Sequence, residues 1–165
     1  MNDIEIHKLI MQDQFSSNFV GVFSRTRIPL SNSIPAGYIV NLDDFSEPGS
    51  HWIGIYITDK YYNVFDSYGR NLNNDSYISS FLRSYANKRE YTYSPFVLQQ
   101  NTTSTCGLFC ILFILIMSRG YTLNEFINIF NLDNQKCNDE AIVKYFSEKY
   151  KKDFTKLLNE YLLDP

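Results

Sequence analysis

The chain is poor in the residues that hold metals. Among 165 residues there are two histidines, His7 and His51, and three cysteines, Cys106, Cys110 and Cys137. The cysteine count is odd and no pair has zinc-ligand spacing, so neither a structural metal site nor any other cofactor is expected. A basic excess is also missing: 15 Lys and Arg face 18 Asp and Glu, a net charge of −3. A phosphate-binding surface needs clustered Lys and Arg, so no nucleic-acid partner is expected. The densest basic stretch, Lys149, Lys151 and Lys152, is interrupted by Tyr150 and reads as a solvated helix face. The most apolar run, residues 108–117, is too short to span a bilayer, so no membrane partner is expected. The start, Met1-Asn2-Asp3-Ile4-Glu5, lacks the basic and apolar regions of a signal peptide. A reducing intracellular setting with free thiols is the expectation.

What the chain does have is a globular composition, 44% hydrophobic and 20% charged, with 13 Tyr and 13 Phe against a single Trp. Its length fits one domain over residues 1–165, with no internal repeat and no linker. Residues 4–11 read as a weak helix, and 19–23 as an apolar stretch. Residues 38–40 read as a buried strand ending at Asn41, and a loop over 43–50 leads to His51. Residues 51–57 form the clearest strand, with Ile53, Ile55 and Ile57 alternating against Trp52, Gly54 and Tyr56. Asp59-Lys60 makes a tight turn, and 61–65 returns as the second arm of a hairpin. Residues 76–87 fit an amphipathic helix, 93–98 a strand and 99–105 a polar loop. An apolar helix follows over 106–118, ended by Gly120. Three more helices are expected over 122–130, 138–150 and 153–162, with Thr122 and Asn138 as caps. The fold class is α+β: a small mixed central sheet flanked by helices, with a helical final third.

Cys106 stands between the polar loop and the apolar helix. A thiol at a helix N-terminus feels the positive end of the helix dipole and nearby free N–H groups, both of which favour thiolate. Gly107 after it lets the backbone approach a substrate closely. Cys110, one turn further into the apolar helix, reads as core, and Cys137 as an incidental thiol in a polar loop. A catalytic thiol needs a base, and His is the side chain that titrates near neutral pH. His51 enters a strand beside Trp52, which could pack over its ring, whereas His7 lies on the weak first helix. An imidazole base needs an acceptor to fix its tautomer. Pairing around Asp59-Lys60 makes facing residue numbers sum to about 119. His51 then falls near position 68, two residues from Asp66, which is the better acceptor than Asp75. Acyl transfer further needs oxyanion donors. The Cys106 backbone N–H is one, and the side chain of Gln99 or Gln100 could supply the second.

His51-Trp52, Phe65-Asp66-Ser67-Tyr68-Gly69, the Gln-containing loop and Cys106-Gly107-Leu108-Phe109-Cys110 stand in one order. That order resembles the adenovirus-type cysteine proteases (adenain-like), within the ubiquitin-like-protein protease clan. The likeness spans roughly residues 19–118 and includes Gly21-Val22-Phe23, Arg27-Ile28-Pro29 and Gly49-Ser50. The family implies a papain-like core with its nucleophile at a helix N-terminus, Cys106 as nucleophile, His51 as base and Asp66 as orienting acid. In the viral branch the oxyanion Gln stands seven residues before the Cys, which is Gln99, and in the cellular branch six, which is Gln100. Gln99 is preferred, because the Cys-Gly-Leu-Phe-Cys block follows the viral branch. Asn41 matches a position at a strand end, with a loop-positioning role.

The adenoviral enzyme has Glu where this chain has Asp66, and it is longer, basic and stimulated by a disulfide-linked peptide and DNA. The DNA cofactor is not carried over, and whether a peptide activates this chain stays open. The resemblance implies a thiol endopeptidase that cleaves after small residues, at Gly-Gly-X or Gly-X-Gly type sites. Its protein substrates would be viral structural precursors processed during virion maturation, placing it in an infected cell and in the particle. A deconjugating peptidase for a ubiquitin-like modifier and an inactive binding module of the same fold are the alternatives.

Overall fold

The computed structural model describes residues 1–43 and 51–158. Helix α1 (Asp3–Met11) opens with a capping box in which Asn2 and Glu5 satisfy each other's backbone N–H. The apolar stretch after it is a strand, β1 (Phe19–Ser24). Next come β2 (Ala36–Asn41), β3 (Trp52–Ile57) and β4 (Tyr61–Phe65), then α2 (Ser76–Arg83), β5 (Glu90–Tyr93), α3 (Cys106–Ser118), α4 (Leu123–Ile127) and α5 (Gln135–Tyr150). The strands lie in the order β1-β2-β3-β4-β5. The two outer pairs are parallel and the two inner pairs antiparallel. This is the mixed sheet flanked by helices that the sequence implies.

Every residue of β2 and β3 is buried, because both faces of the sheet are covered. The period-2 alternation sorts β3 between the two faces. Ile53, Ile55 and Ile57 pack with Ile78, Phe81 and Leu82 of α2. Trp52 and Tyr56 pack in the cluster built around α3. Gly54 sits between them because a Cβ there would lie 2.4 Å from Phe113 Cδ1 of α3. Its missing side chain is what lets the central helix press onto the strand. Ten of the 13 residues of α3 are buried, the environment that an all-round apolar helix requires. Gly120, at φ 88°, follows the α3 C-cap. Among the described residues no helix is long and apolar enough to cross a membrane.

The hairpin register agrees with the expected pairing, with Gly54 opposite Phe65 and Ile55 opposite Val64. Elsewhere boundaries move. The strand expected over 93–98 lies earlier, at Glu90–Tyr93. Pro95 carries no N–H for a ladder, and the Leu98 and Gln99 N–H groups instead donate to the Ser67 carbonyl at 2.8 and 3.2 Å. Helix α2 stops at Arg83, where Ser84 Oγ donates back to the Ser80 carbonyl at 2.8 Å. Helix α4 is shorter than 122–130, although Thr122 caps it as expected. Helix α5 begins earlier than expected, with Asn134 rather than Asn138 as its cap. Cys137 therefore lies in a first helical turn and not in a loop. Of the helix expected over 153–162, a 3-10 turn at Thr155–Leu158 is present; Asp153 and Phe154 before it are not helical, and 159–162 lie outside the described residues. Most of the expected 43–50 loop lies outside them too.

Candidate active site

The antiparallel pairing of β2, β3 and β4 brings the chain segments around Asn41, His51 and Asp66 to one end of the sheet. The Leu42 N–H donates to the His51 carbonyl at 3.0 Å, extending the β2–β3 ladder by one step. Asn41 Oδ1 accepts the Asp43 N–H at 2.8 Å, and its carbonyl accepts the Arg25 N–H at 2.9 Å. Asn41 therefore shapes the chain where it leaves β2.

His51 is 6% exposed and its Nε2 lies 2.7 Å from Asp66 Oδ1. Asp66 is 1% exposed. It also accepts the Tyr68 N–H on Oδ1 at 2.8 Å and Arg70 Nε on Oδ2 at 2.6 Å. Burial raises a carboxylate's pKa, but the His51 bond, the Tyr68 N–H and the Arg70 charge outweigh it and hold Asp66 below its ordinary range. The Tyr68 ring stacks on the imidazole, 4.6 Å between centroids and 21° between planes. Arg70 lies over the outer face of that ring at 5.8 Å. The acid is thus pinned from three directions, and the imidazole is held by both a bond and a face.

Cys106 is the first residue of α3 and is 6% exposed. Burial pulls His51 toward its neutral form. Asp66 and the Cys106 sulfur nevertheless push it up from 6.5 to about 9, each by hydrogen bonding and by charge. The second ring nitrogen, Nδ1, is buried with no other bonding partner among the described residues. An imidazole that keeps its proton through neutral pH, oriented by a carboxylate and facing a sulfur, is the counter-ion a thiolate nucleophile requires.

Trp52 does not cover the imidazole. Successive residues at a strand point to opposite sides, and Trp52 goes into the α3 cluster, where its indole N–H donates to the Met1 carbonyl at 3.3 Å. Its own carbonyl accepts the Cys110 thiol at 3.3 Å. Cys110 is fully buried, and burial pushes its thiol well above the usual range, which makes it inert. Cys137 is exposed. The open side of Gly107 faces Ile6 and Met1, which would lie 3.4 and 3.5 Å from a Cβ. Asp75 is occupied elsewhere, capping α2 through the Tyr77 and Ile78 N–H groups.

Gln99 is 1% exposed and its side chain is built into the loop. Its Oε1 accepts Ser67 Oγ at 2.7 Å, and its Nε2 donates to the Thr103 carbonyl at 2.9 Å. Gln100 is half-buried and anchored by its backbone N–H, which donates to Asp139 Oδ2 at 2.9 Å. Tyr68, Arg70, Ser67, Thr103, Thr105 and Asp139 are additions to the residues the sequence pointed to. Tyr68 and Ser67 lie inside the quoted Phe-Asp-Ser-Tyr-Gly block, so a signal for them was present. Asp139 lies 34 residues beyond Thr105 and nothing local marks it.

A sulfur, an imidazole and a buried carboxylate thus converge at one end of a mixed sheet flanked by helices. No protein-family model matches the chain, and no curated protein sequence matches it. Among solved structures it is similar to the ASFV pS273R protease, with a TM-score of 0.57 and 13% identity over 84% of this chain and 65% of that one. The selenomethionine form of that protease gives a TM-score of 0.47 at 17% identity, over 63% of this chain and 42% of that one. The Rickettsia bellii effector protein RickCE gives 0.47 at 15% identity, over 73% and 47%. The chain spans less than two thirds of each of these structures. At 13% identity, the likeness to the ASFV pS273R protease with a TM-score of 0.57 shows the fold alone.

Proposed function

We propose that this chain is a cysteine peptidase with Cys106 as nucleophile, His51 as general base and acid, and Asp66 as the group that orients His51. The observation that carries the reading is the 2.7 Å bond from the His51 ring to the buried Asp66 carboxylate, with Cys106 acting on the same ring from the start of α3. A fold shared with a structure named a protease supports it.

In this mechanism the Cys106 sulfur, its proton held on His51, attacks the carbonyl carbon of the scissile bond. The carbonyl electrons move onto oxygen, and N–H donors at the start of α3 receive that charge, with a glutamine amide of the preceding loop as the further donor. Gln99 is the glutamine proposed for that role, with Gln100 as the alternative; the Gln99 amide, which donates to the Thr103 carbonyl, would turn toward substrate. His51 then protonates the leaving amine and the C–N bond breaks, giving a thioester on Cys106. A water, deprotonated by His51, hydrolyses that thioester and returns the thiol. Throughout, Asp66 and Tyr68 keep the ring in one orientation.

The substrates proposed are proteins with a small residue, Gly above all, on the acyl side of the cleaved bond, and structural precursors of a virus as the biological class. The test is a panel of fluorogenic peptides ending in Gly-Gly, Gly-Ala and bulky residues, alongside a folded ubiquitin-like fusion. Cleavage after glycine that vanishes in Cys106→Ala supports the reading. Cleavage only of the folded fusion moves the assignment to a deconjugase. Turnover that survives Cys106→Ala and is lost in Cys110→Ala overturns the assignment of the nucleophile.

A further inference from the structure

The final third of the chain contributes a group to the site that the mechanism above does not use. Asp139, in the first turns of α5, is fully buried. Its Oδ2 accepts the Gln100 N–H at 2.9 Å, and its Oδ1 accepts the Thr105 hydroxyl. Thr103 Oγ1 lies 3.2 Å from Thr105 Oγ1 and completes the cluster. The preceding residue, Asn138, donates from Nδ2 to the Leu98 carbonyl at 3.1 Å. Two successive residues of α5 therefore hold the later part of the loop that runs from β5 to the nucleophile, at Leu98, Gln100 and Thr105.

Burying a carboxylate is costly, and burial pulls Asp139 toward its neutral form. A carboxylate accepts and cannot donate while ionised, so it requires two donors and fixes where they point. One donor is the backbone of Gln100. The other is the hydroxyl of Thr105, the N-cap residue of α3. A threonine at that position ordinarily accepts an N–H from the first helical turn, yet here the Thr105 side chain makes no capping bond. Its hydroxyl is drawn into Asp139 instead, which ties the residue before Cys106 to α5.

We propose that Asp139 is a positioning residue for the oxyanion donors: it sets the Gln100 backbone and anchors Thr105, whose peptide carries the Cys106 N–H. The proposal rests on Cys106 being an acyl-transfer nucleophile, and it acts on oxyanion stabilisation alone. Two reagents separate these claims. Iodoacetamide alkylates a thiol by displacement at a saturated carbon and forms no oxyanion. With p-nitrophenyl acetate, the Cys106 sulfur forms a thioester as the bond to nitrophenolate breaks, through a tetrahedral oxyanion. Both products on the Cys106 peptide are followed by mass spectrometry in the full chain.

In Asp139→Ala, acetylation of Cys106 falls about tenfold through misplaced donors, while its alkylation changes by less than about twofold. Asp139→Asn can accept from Gln100 through its carbonyl and donate to the Thr105 oxygen, and it recovers most of the acetylation rate. If Asp139→Ala does not fold, Thr105→Val carries the test with a selective loss of about threefold in acetylation. Acetylation and alkylation falling together, or neither falling, overturns the proposal and leaves Asp139 a plain structural brace. A wild-type Cys106 that reacts with neither reagent faster than Cys137 overturns the peptidase reading itself, and the proposal with it.

Discussion

Replacing Asp66 by Asn strikes the electrostatic centre of the site. The carboxylate takes three donors in a buried position: His51 Nε2, the Tyr68 N–H and Arg70 Nε. An asparagine offers one acceptor oxygen and one amide nitrogen. Whichever way it turns, a donor faces a donor, toward His51 and Tyr68 or toward Arg70. Burial, which already opposes a charged imidazole, is then balanced only by Cys106. His51 should fall from about 9 to its ordinary 6.5 or below. That fall is worth about 3 kcal/mol, at about 1.36 kcal/mol per pH unit. The sign for stability follows from a folded-state value above the unfolded one. His51 stabilises the fold fully below pH 6.5 and loses that contribution as pH rises through about 9. The assay is an NMR titration of the two histidines, assigned with a His7→Gln variant, together with urea unfolding at about pH 6 and about pH 9.5. In Asp66→Asn the His51 midpoint drops and this part of the pH dependence of stability disappears. A midpoint that stays near 9 in Asp66→Asn would refute the assignment of Asp66 as the source of the shift.

Two further predictions concern the scaffold. Asp13 gathers Arg119 at 2.9 Å, Lys149 at 2.7 Å and the Phe15 N–H at 3.0 Å. Burial opposes its charge, but Lys149, Phe15 and Arg119 hold the carboxylate down at about 2. Its contribution, about 2 kcal/mol, is present above the ordinary 3.8 and lost as pH falls through about 2. Asp13→Asn should therefore destabilise the protein at pH 7 by that amount in urea unfolding, with a smaller difference under strongly acid conditions. Gly54→Ala places a methyl 2.4 Å from Phe113 Cδ1 and should cost about 2 kcal/mol by overpacking, read as a lowered Tm. An unchanged Tm would mean that α3 can move off the strand.

Much of the candidate site was legible because it depends on local pattern. The alternation in β3 and the short turn at Asp59-Lys60 set the hairpin register, and that register brings Asp66 to within about two residues of the position facing His51. The apolar run after Cys106 made the helix start visible, since few contexts bury ten residues of one helix. What stayed hidden depends on contacts distant in sequence. Asn138 looked like a helix cap because Asn favours that position, but its side chain binds Leu98, 40 residues away. Asp139 behaves likewise toward Gln100 and Thr105. Glu90–Tyr93 is an edge strand of four residues, too short for a periodicity to show. Trp52 was placed on the wrong side of its neighbour because strand pleating, not proximity in sequence, decides which ring meets His51. Tyr68 takes that place from across the turn.

The most direct measurement is the rate of iodoacetamide labelling of each cysteine at about pH 6, where an ordinary thiol of pKa about 8.5 is almost wholly protonated. Exposure alone ranks Cys137 first, since it is exposed while Cys106 is 6% exposed and Cys110 fully buried. A sulfur paired with a protonated His51 reverses that order: Cys106 reacts fastest, Cys110 not at all, and His51→Ala removes the advantage of Cys106. Labelling that simply follows exposure, with Cys137 ahead and no effect of His51→Ala, would contradict an activated nucleophile at Cys106.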